Sequence, residues 1–98
     1  MPDEERIRSI AREIATATLG GANVDRVMSK EIVDTEGNDA LQIMVVLTPG
    51  SSETLTGAAL LDTMVRLHER LQQEGETRFP FVRYADKKEL EDSGAAQP

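Results

Sequence analysis

The sequence predicts a two-layer α+β domain in which both helices cover one face of a three-stranded sheet, in the order α-β-β-α-β. Two stretches carry apolar residues every three or four positions, as amphipathic helices do. Three others are β-branched, aromatic or alternating, which indicates strands. At 98 residues, 39% of them hydrophobic, the chain can form one core. We expect a single domain over residues 1–85 and a charged, largely disordered tail over residues 86–98.

The first helix is predicted from Asp3 to Leu19. Acidic residues crowd its first turn, where they complement the helix dipole, and the Gly20-Gly21 pair suits a helix C-terminus. Its stripe consists of Ile7, Ile10, Ala11, Ile14 and the pair Ala17/Thr18.

The next two strands are predicted to form a hairpin. The first, Val24 to Thr35, alternates imperfectly, and a bulge near residues 29–31 or a late strand start would restore its register. Residues 35–39 have turn chemistry, because Gly and Asn adopt positive φ readily. The second strand has the clearest pattern, with apolar residues at every second position from Leu41 to Leu47.

The second helix is predicted to follow Thr56 as its N-cap, because Leu55 and Leu60 then form a hydrophobic staple. Ser52 is the alternative cap. The helix spans about 18 residues and ends at Gly75. Its apolar positions are treated as one stripe: Leu60, Leu61, Met64, Leu67, His68 and Leu71.

The third strand is predicted from Phe79 to Tyr84 and carries all three aromatic residues of the chain. Pro80 favours a strand start or a sheet edge. Whether this strand pairs with the first or the second strand stays open at this stage, since both orders allow a right-handed crossover.

Composition excludes several classes of protein. Eighteen acidic residues against eleven basic ones give a net charge of −7, which disfavours binding to nucleic-acid phosphates. The absence of Cys excludes disulfides and thiolate metal sites. No apolar run reaches the roughly 20 residues of a membrane span, and the acidic start at residues 1–5 lacks an export signal. We expect a cytoplasmic protein, and the preference for Arg over Lys suggests a bacterial source.

Two loops share some features with known kinds of ligand site. The segment at residues 34–39 places oxygen ligands as a calcium loop begins, but its glycine comes at position four and Val45 occupies position twelve. The segment at residues 48–57 precedes a helix N-terminus but lacks the Gly-Lys pair of a phosphate loop. We therefore predict a hairpin turn and a capping loop, with no metal and no cofactor.

His68 is the only histidine and lies at the edge of the second helix's apolar stripe. A catalytic base needs a nucleophile and an orienting partner within reach, and no such constellation can be assigned. We expect no catalytic residues, and His68 is interpreted as a partly buried residue bonded to a carbonyl or to water. A small enzyme with a site between subunits is the third functional alternative.

The leading functional hypothesis is a non-enzymatic protein–protein interaction module. Ala40, Met44 and Val46 point away from the predicted core, so the second face of the sheet is partly apolar and suits a partner. That partner is a second copy of the chain or another protein, including a basic protein to which this chain is an inhibitor or antitoxin-like subunit.

The alternative is a nucleic-acid-binding module. Arg78 and Arg83 flank Phe79 and Phe81, and aromatic strand residues beside cations can stack bases. In the competing interpretation, Phe79 or Phe81 fills the core and the arginines pair with local acids such as Glu76 and Asp86. The element order over residues 3–85 resembles a reduced K-homology domain of the second type, which implies RNA binding. The family's Gly-x-x-Gly loop and basic groove are absent from this sequence.

Overall fold

The computed structural model describes residues 2–88. Helix α1 (Glu4–Leu19) is followed by strands β1 (Val24–Val33) and β2 (Asp39–Leu47), helix α2 (Gly57–Gln73) and strand β3 (Phe79–Asp86). The predicted α-β-β-α-β order and α+β class are confirmed. Strand β3 runs two residues beyond its predicted end and includes Asp86, and the rest of the predicted tail from residue 89 lies outside the described residues.

The sheet has the order β1-β2-β3, so β2 is central and β1 and β3 are its edges. Strand β2 pairs antiparallel with β1 and parallel with β3. The irregularity in β1 falls between Val24 and Arg26, so the bulge predicted near residues 29–31 is wrong. No slip is needed there because Ile32 faces away from the core, opposite Ala40, while Val33 is exposed at the strand end.

Both helices pack on one face of the sheet, which we call the core face; the opposite side is the open face. Helix α1 lies against β1 and α2, while α2 lies on the β3 side. The buried apolar residues that pack together as the core are Ile7, Ile10, Ala11, Ala15, Leu19, Val24, Val27, Leu41, Ile43, Val45, Leu47, Leu67 and Leu71. The two helices are also joined by a hydrogen bond between the hydroxyls of Thr18 and Thr63.

The helix ends follow the sequence closely. The Asp3 carboxylate accepts from the Arg6 amide at 2.8 Å, and the Thr56 hydroxyl accepts from the Ala59 amide at 3.1 Å, which confirms Thr56 as N-cap. At the other end of α2, Gly75 adopts a φ of 91°, which an L-residue rarely does. The backbone amide of Gly75 donates to the Gln72 carbonyl and that of Glu76 donates to the Leu71 carbonyl, and these two hydrogen bonds close the helix.

Candidate functional site

Helix α2 is apolar on two sides rather than one. Its core side carries Leu60, Thr63, Leu67 and Leu71. A second stripe, rotated by about 90° at 3.6 residues per turn, consists of Leu61, Met64, Val65 and His68. Leu61 is 60% exposed and Val65 is 48% exposed, so this stripe is not used by the core. The single stripe expected from the sequence is therefore two stripes with different surroundings.

Strand β3 brings two phenylalanines next to the second stripe of α2. The Phe79 ring meets the His68 ring edge-on, with centroids 5.2 Å apart, and lies 4.8 Å from the Phe81 ring. Phe79 is 51% exposed and Phe81 is 41% exposed, so neither fills the core as the competing interpretation required. The aromatic contact links the exposed side of α2 to the free edge of the sheet.

These residues line a groove of about 520 Å³ between α2 and β3, which we call the docking groove. Its lining is Ile32, Gln42, Leu61, Met64, Val65, His68, Phe79, Pro80, Phe81, Val82 and Arg83. Five of the seven large apolar side chains that are exposed among residues 2–88 lie in this groove. The lining holds no carboxylate, although the chain carries a net charge of −7. The groove is thus an apolar surface set in an acidic protein.

The three predicted interface residues lie on the open face of the sheet. Ala40 lies between Ile32 and Phe79, and Met44 lies opposite Met28. Ala40 is 1% exposed and Val46 is 0% exposed, so these two side chains have almost no surface to offer a partner. Met44 is half-buried and lines a smaller hollow with Met28. Of the three predicted residues, Met44 is the one with accessible surface.

Arg78 and Arg83 have different surroundings, although the sequence treats them alike. The Arg78 guanidinium donates to both carboxylate oxygens of Glu76 at 2.9 Å and to Glu31 at 3.0 Å, and its side chain is only 14% exposed. This is the local pairing with Glu76 that the competing interpretation expected. Arg83 is exposed, lies in the docking groove and forms no ion pair within residues 2–88. Of these two arginines, Arg83 is therefore the exposed one.

In both loops that share features with ligand sites, backbone amides donate hydrogen bonds to carboxylates of the protein itself. Asp34 accepts from the amides of Glu36 and Asn38, each at 2.9 Å, which is a hairpin-turn arrangement. Asp86 accepts from the Gly50 amide at 2.9 Å, from the Ser52 hydroxyl at 2.9 Å and from the Ser52 amide at 3.4 Å. An internal anion therefore occupies the amide cluster before α2.

The carboxylate of Asp86 is held in its charged form by these bonds. The Lys88 amide, the Ser52 hydroxyl and the amides of Ser52 and Gly50 together lower the pKa of Asp86 below its usual value, although burial opposes the shift. Asp86 thus fastens the end of β3 to the loop at residues 48–57, and its role in this arrangement is structural.

The surroundings of His68 are aromatic. Within the part of the chain that the structure describes, the His68 ring packs edge-on against the Phe79 ring. Over the same residues, no cluster of three or more His, Asp or Glu side chains is placed to hold a metal ion. Neither described helix is long and apolar enough to cross a membrane.

No protein-family model, no curated protein and no solved structure matches this chain. The function must therefore be inferred from the residues themselves. The sequence identified Phe79, Phe81 and Arg83 as candidate contacts but missed Leu61 and Val65. A signal for them was present, because the apolar positions of α2 span more of the helix circumference than a single stripe needs.

Proposed function

We propose that this protein is a non-enzymatic protein–protein interaction module and that the docking groove is its binding surface. One observation carries the proposal: most of the large apolar side chains exposed in the described chain are gathered in this groove. Single exposed apolar residues are common on protein surfaces, whereas a contiguous patch marks a binding site. Among residues 2–88, β3 is an edge strand, and its outer edge runs beside the patch and offers backbone hydrogen bonds to a partner.

The groove also has the composition of an interface core. Aromatic residues and methionine are enriched at interface cores, while carboxylates are depleted, and the groove combines Phe79, Phe81 and Met64 with no Asp or Glu. Burying such side chains contributes about 25 cal/mol for each Å² of apolar surface removed from water. The net charge of −7 disfavours contacts between acidic surfaces, and the groove lining avoids this repulsion because it holds no carboxylate.

The proposal predicts that Leu61→Glu abolishes partner binding and that Val33→Glu does not. Both side chains are exposed and apolar, at 60% and 66%, and both changes add one negative charge, but only Leu61 lies in the groove. Each tagged variant is used as bait in a native lysate, and the retained proteins, including untagged copies of the chain, are quantified by mass spectrometry. Proteins retained by the wild type and by Val33→Glu should be missing with Leu61→Glu. Identical sets for the two variants would refute the proposal.

A second candidate function rests on the exposure of Phe79 and Phe81 beside Arg83. Stacking of bases on exposed strand aromatics, with a nearby cation, is a route to single-stranded RNA. Because Arg78 is occupied by Glu76 and Glu31, Arg83 alone supplies charge here. If this function is correct, a fluorescent single-stranded RNA should bind at low salt, weaken as salt rises, and be lost with Phe81→Ala. No binding at low salt would remove this candidate.

A further inference from the structure

We propose that the occupant of the docking groove is a second copy of this chain, joined through antiparallel pairing of the two β3 edges into a six-stranded sheet. The inference rests on the proposed function and names its partner. Three features of the molecule support it: the outer edge of β3, which pairs with no other strand of the described chain, the charge of the groove, and the position of α2 on the β3 side of the sheet.

Charge favours the docking groove as a surface for self-association. Two chains that each carry a charge of −7 repel one another. The groove lining holds Arg83 and no carboxylate, so it is a place where two copies can meet without that cost. Salt should therefore strengthen the association by screening the remaining repulsion, which is the opposite of its effect on RNA binding.

The register of the paired strands follows from the length and charge of β3. Directly opposite residues of an antiparallel pair point to the same face of the sheet. The two-fold axis must therefore pass between one residue and the same residue of the other copy. Because β3 spans residues 79–86, overlap is greatest with the axis at Val82 or Arg83. An axis at Arg83 would oppose two guanidinium groups. The axis therefore lies at Val82.

This register makes the open face of the interface self-complementary. With the axis at Val82, Arg83 of one copy lies opposite Phe81 of the other, so two cation–π pairs form, one on each side of the axis. Pro80 lies opposite Tyr84 and removes one amide donor at each end of the pairing. The two α2 helices then flank the axis, which brings their exposed stripes, including Leu61 and Val65, towards the joined strands.

Cross-linking tests the geometry directly, because the chain has no cysteine. In a Val82→Cys variant, the two Cα atoms across the axis fall about 4.5–5.5 Å apart, within the range of a disulfide. Mild oxidation should convert most of this variant to a linked dimer, while Val33→Cys, exposed on the opposite edge strand, should stay largely unlinked. Equal cross-linking of the two variants, or more at Val33, would overturn the inference.

Sedimentation equilibrium tests the register independently. Arg83→Glu should weaken the dimer at least about tenfold, because two cation–π pairs become contacts between a carboxylate and an aromatic ring. Arg26→Glu makes the same charge change on the same face of the sheet, on β1. It should change the dissociation constant of the dimer by no more than about twofold. Equal constants for the two variants would contradict the register.

The inference and the proposed function can fail separately. A chain that stays monomeric, yet loses other protein partners through Leu61→Glu, would overturn the dimer and leave the interaction module standing. If Leu61→Glu retains every partner, including a second copy of the chain, the dimer and the interaction module are both wrong.

Discussion

Replacing Ile43 by Ala is expected to lower the free energy of unfolding by about 3–4 kcal/mol. Ile43 is 0% exposed and lies in the central strand, between β1 and β3, where it belongs to the hydrophobic core. Removing its side-chain atoms costs their transfer free energy and leaves a cavity that close neighbours fill only in part. A domain of this size has about 5–15 kcal/mol of stability in total, so the loss is a large fraction.

Urea denaturation of two further variants provides the controls for Ile43. Ile43→Val should cost only about 1 kcal/mol, because one methylene is lost, and it keeps the test valid if the Ala variant fails to fold. Val33→Ala should change stability by less than about 0.5 kcal/mol, because Val33 is 66% exposed at the end of β1. A cost at Ile43→Ala no larger than that at Val33→Ala would contradict the position of the core.

Glu76→Gln is expected to cost about 2–3 kcal/mol of stability. The Glu76 side chain is 0% exposed, and its carboxylate accepts from the Arg78 amide and from two guanidinium nitrogens, all at 2.9 Å. A neutral amide cannot accept all of these bonds or balance a guanidinium that is only 14% exposed. Glu31 still contacts Arg78 at 3.0 Å in the variant, which limits the loss.

The matched control is Glu31→Gln. It removes a carboxylate from the same arginine, but the Glu31 side chain is 80% exposed, so the cost should stay below about 1 kcal/mol. Thermal and urea unfolding of the two variants give the comparison. Equal losses would show that the burial of Glu76 does not determine its contribution.

Acid sensitivity provides a second readout of the same ion pair. The hydrogen bonds from Arg78 lower the pKa of Glu76 below its usual value despite its burial. The folded state therefore binds the proton less readily than the unfolded state, so this stabilisation is present at neutral pH and is lost as the pH falls below the usual carboxyl range. The stability of Glu76→Gln should fall less steeply with acid. Part of the dependence of stability on pH should remain in this variant, because the pKa values of Asp86 and Glu74 are also lowered.

Local patterns predicted the elements of this fold well. The N-cap at Thr56 and the glycine after α2 follow from short-range chemistry that the printed residues carry. The position of β3 beside β2 does not follow from such short-range chemistry, because it depends on how the helix layer packs on the sheet. The predicted bulge in β1 failed for a related reason: Ile32 was assumed to need the core, whereas Ala40 and Phe79 give it apolar neighbours on the open face.

The candidate site was predicted only in part. Aromatic residues beside arginines drew attention to β3, and Phe79, Phe81 and Arg83 do line the groove. The sequence could not separate Arg83 from Arg78, because the buried carboxylate of Glu76 binds the latter through the geometry of the turn before β3. Nor could alternation show that Val46 is covered within its own chain. Burial at these positions depends on tertiary contacts.

The central claim is that the side of the molecule formed by β3 and α2 is an interface and the β1 edge is not. Hydrogen exchange at two protein concentrations tests it within one molecule, because both strands are sheet edges. We predict that amides of residues 79–86 exchange more slowly at the higher concentration, while those of residues 24–33 are unchanged. Concentration-dependent protection at β1, or at neither edge, would contradict the account.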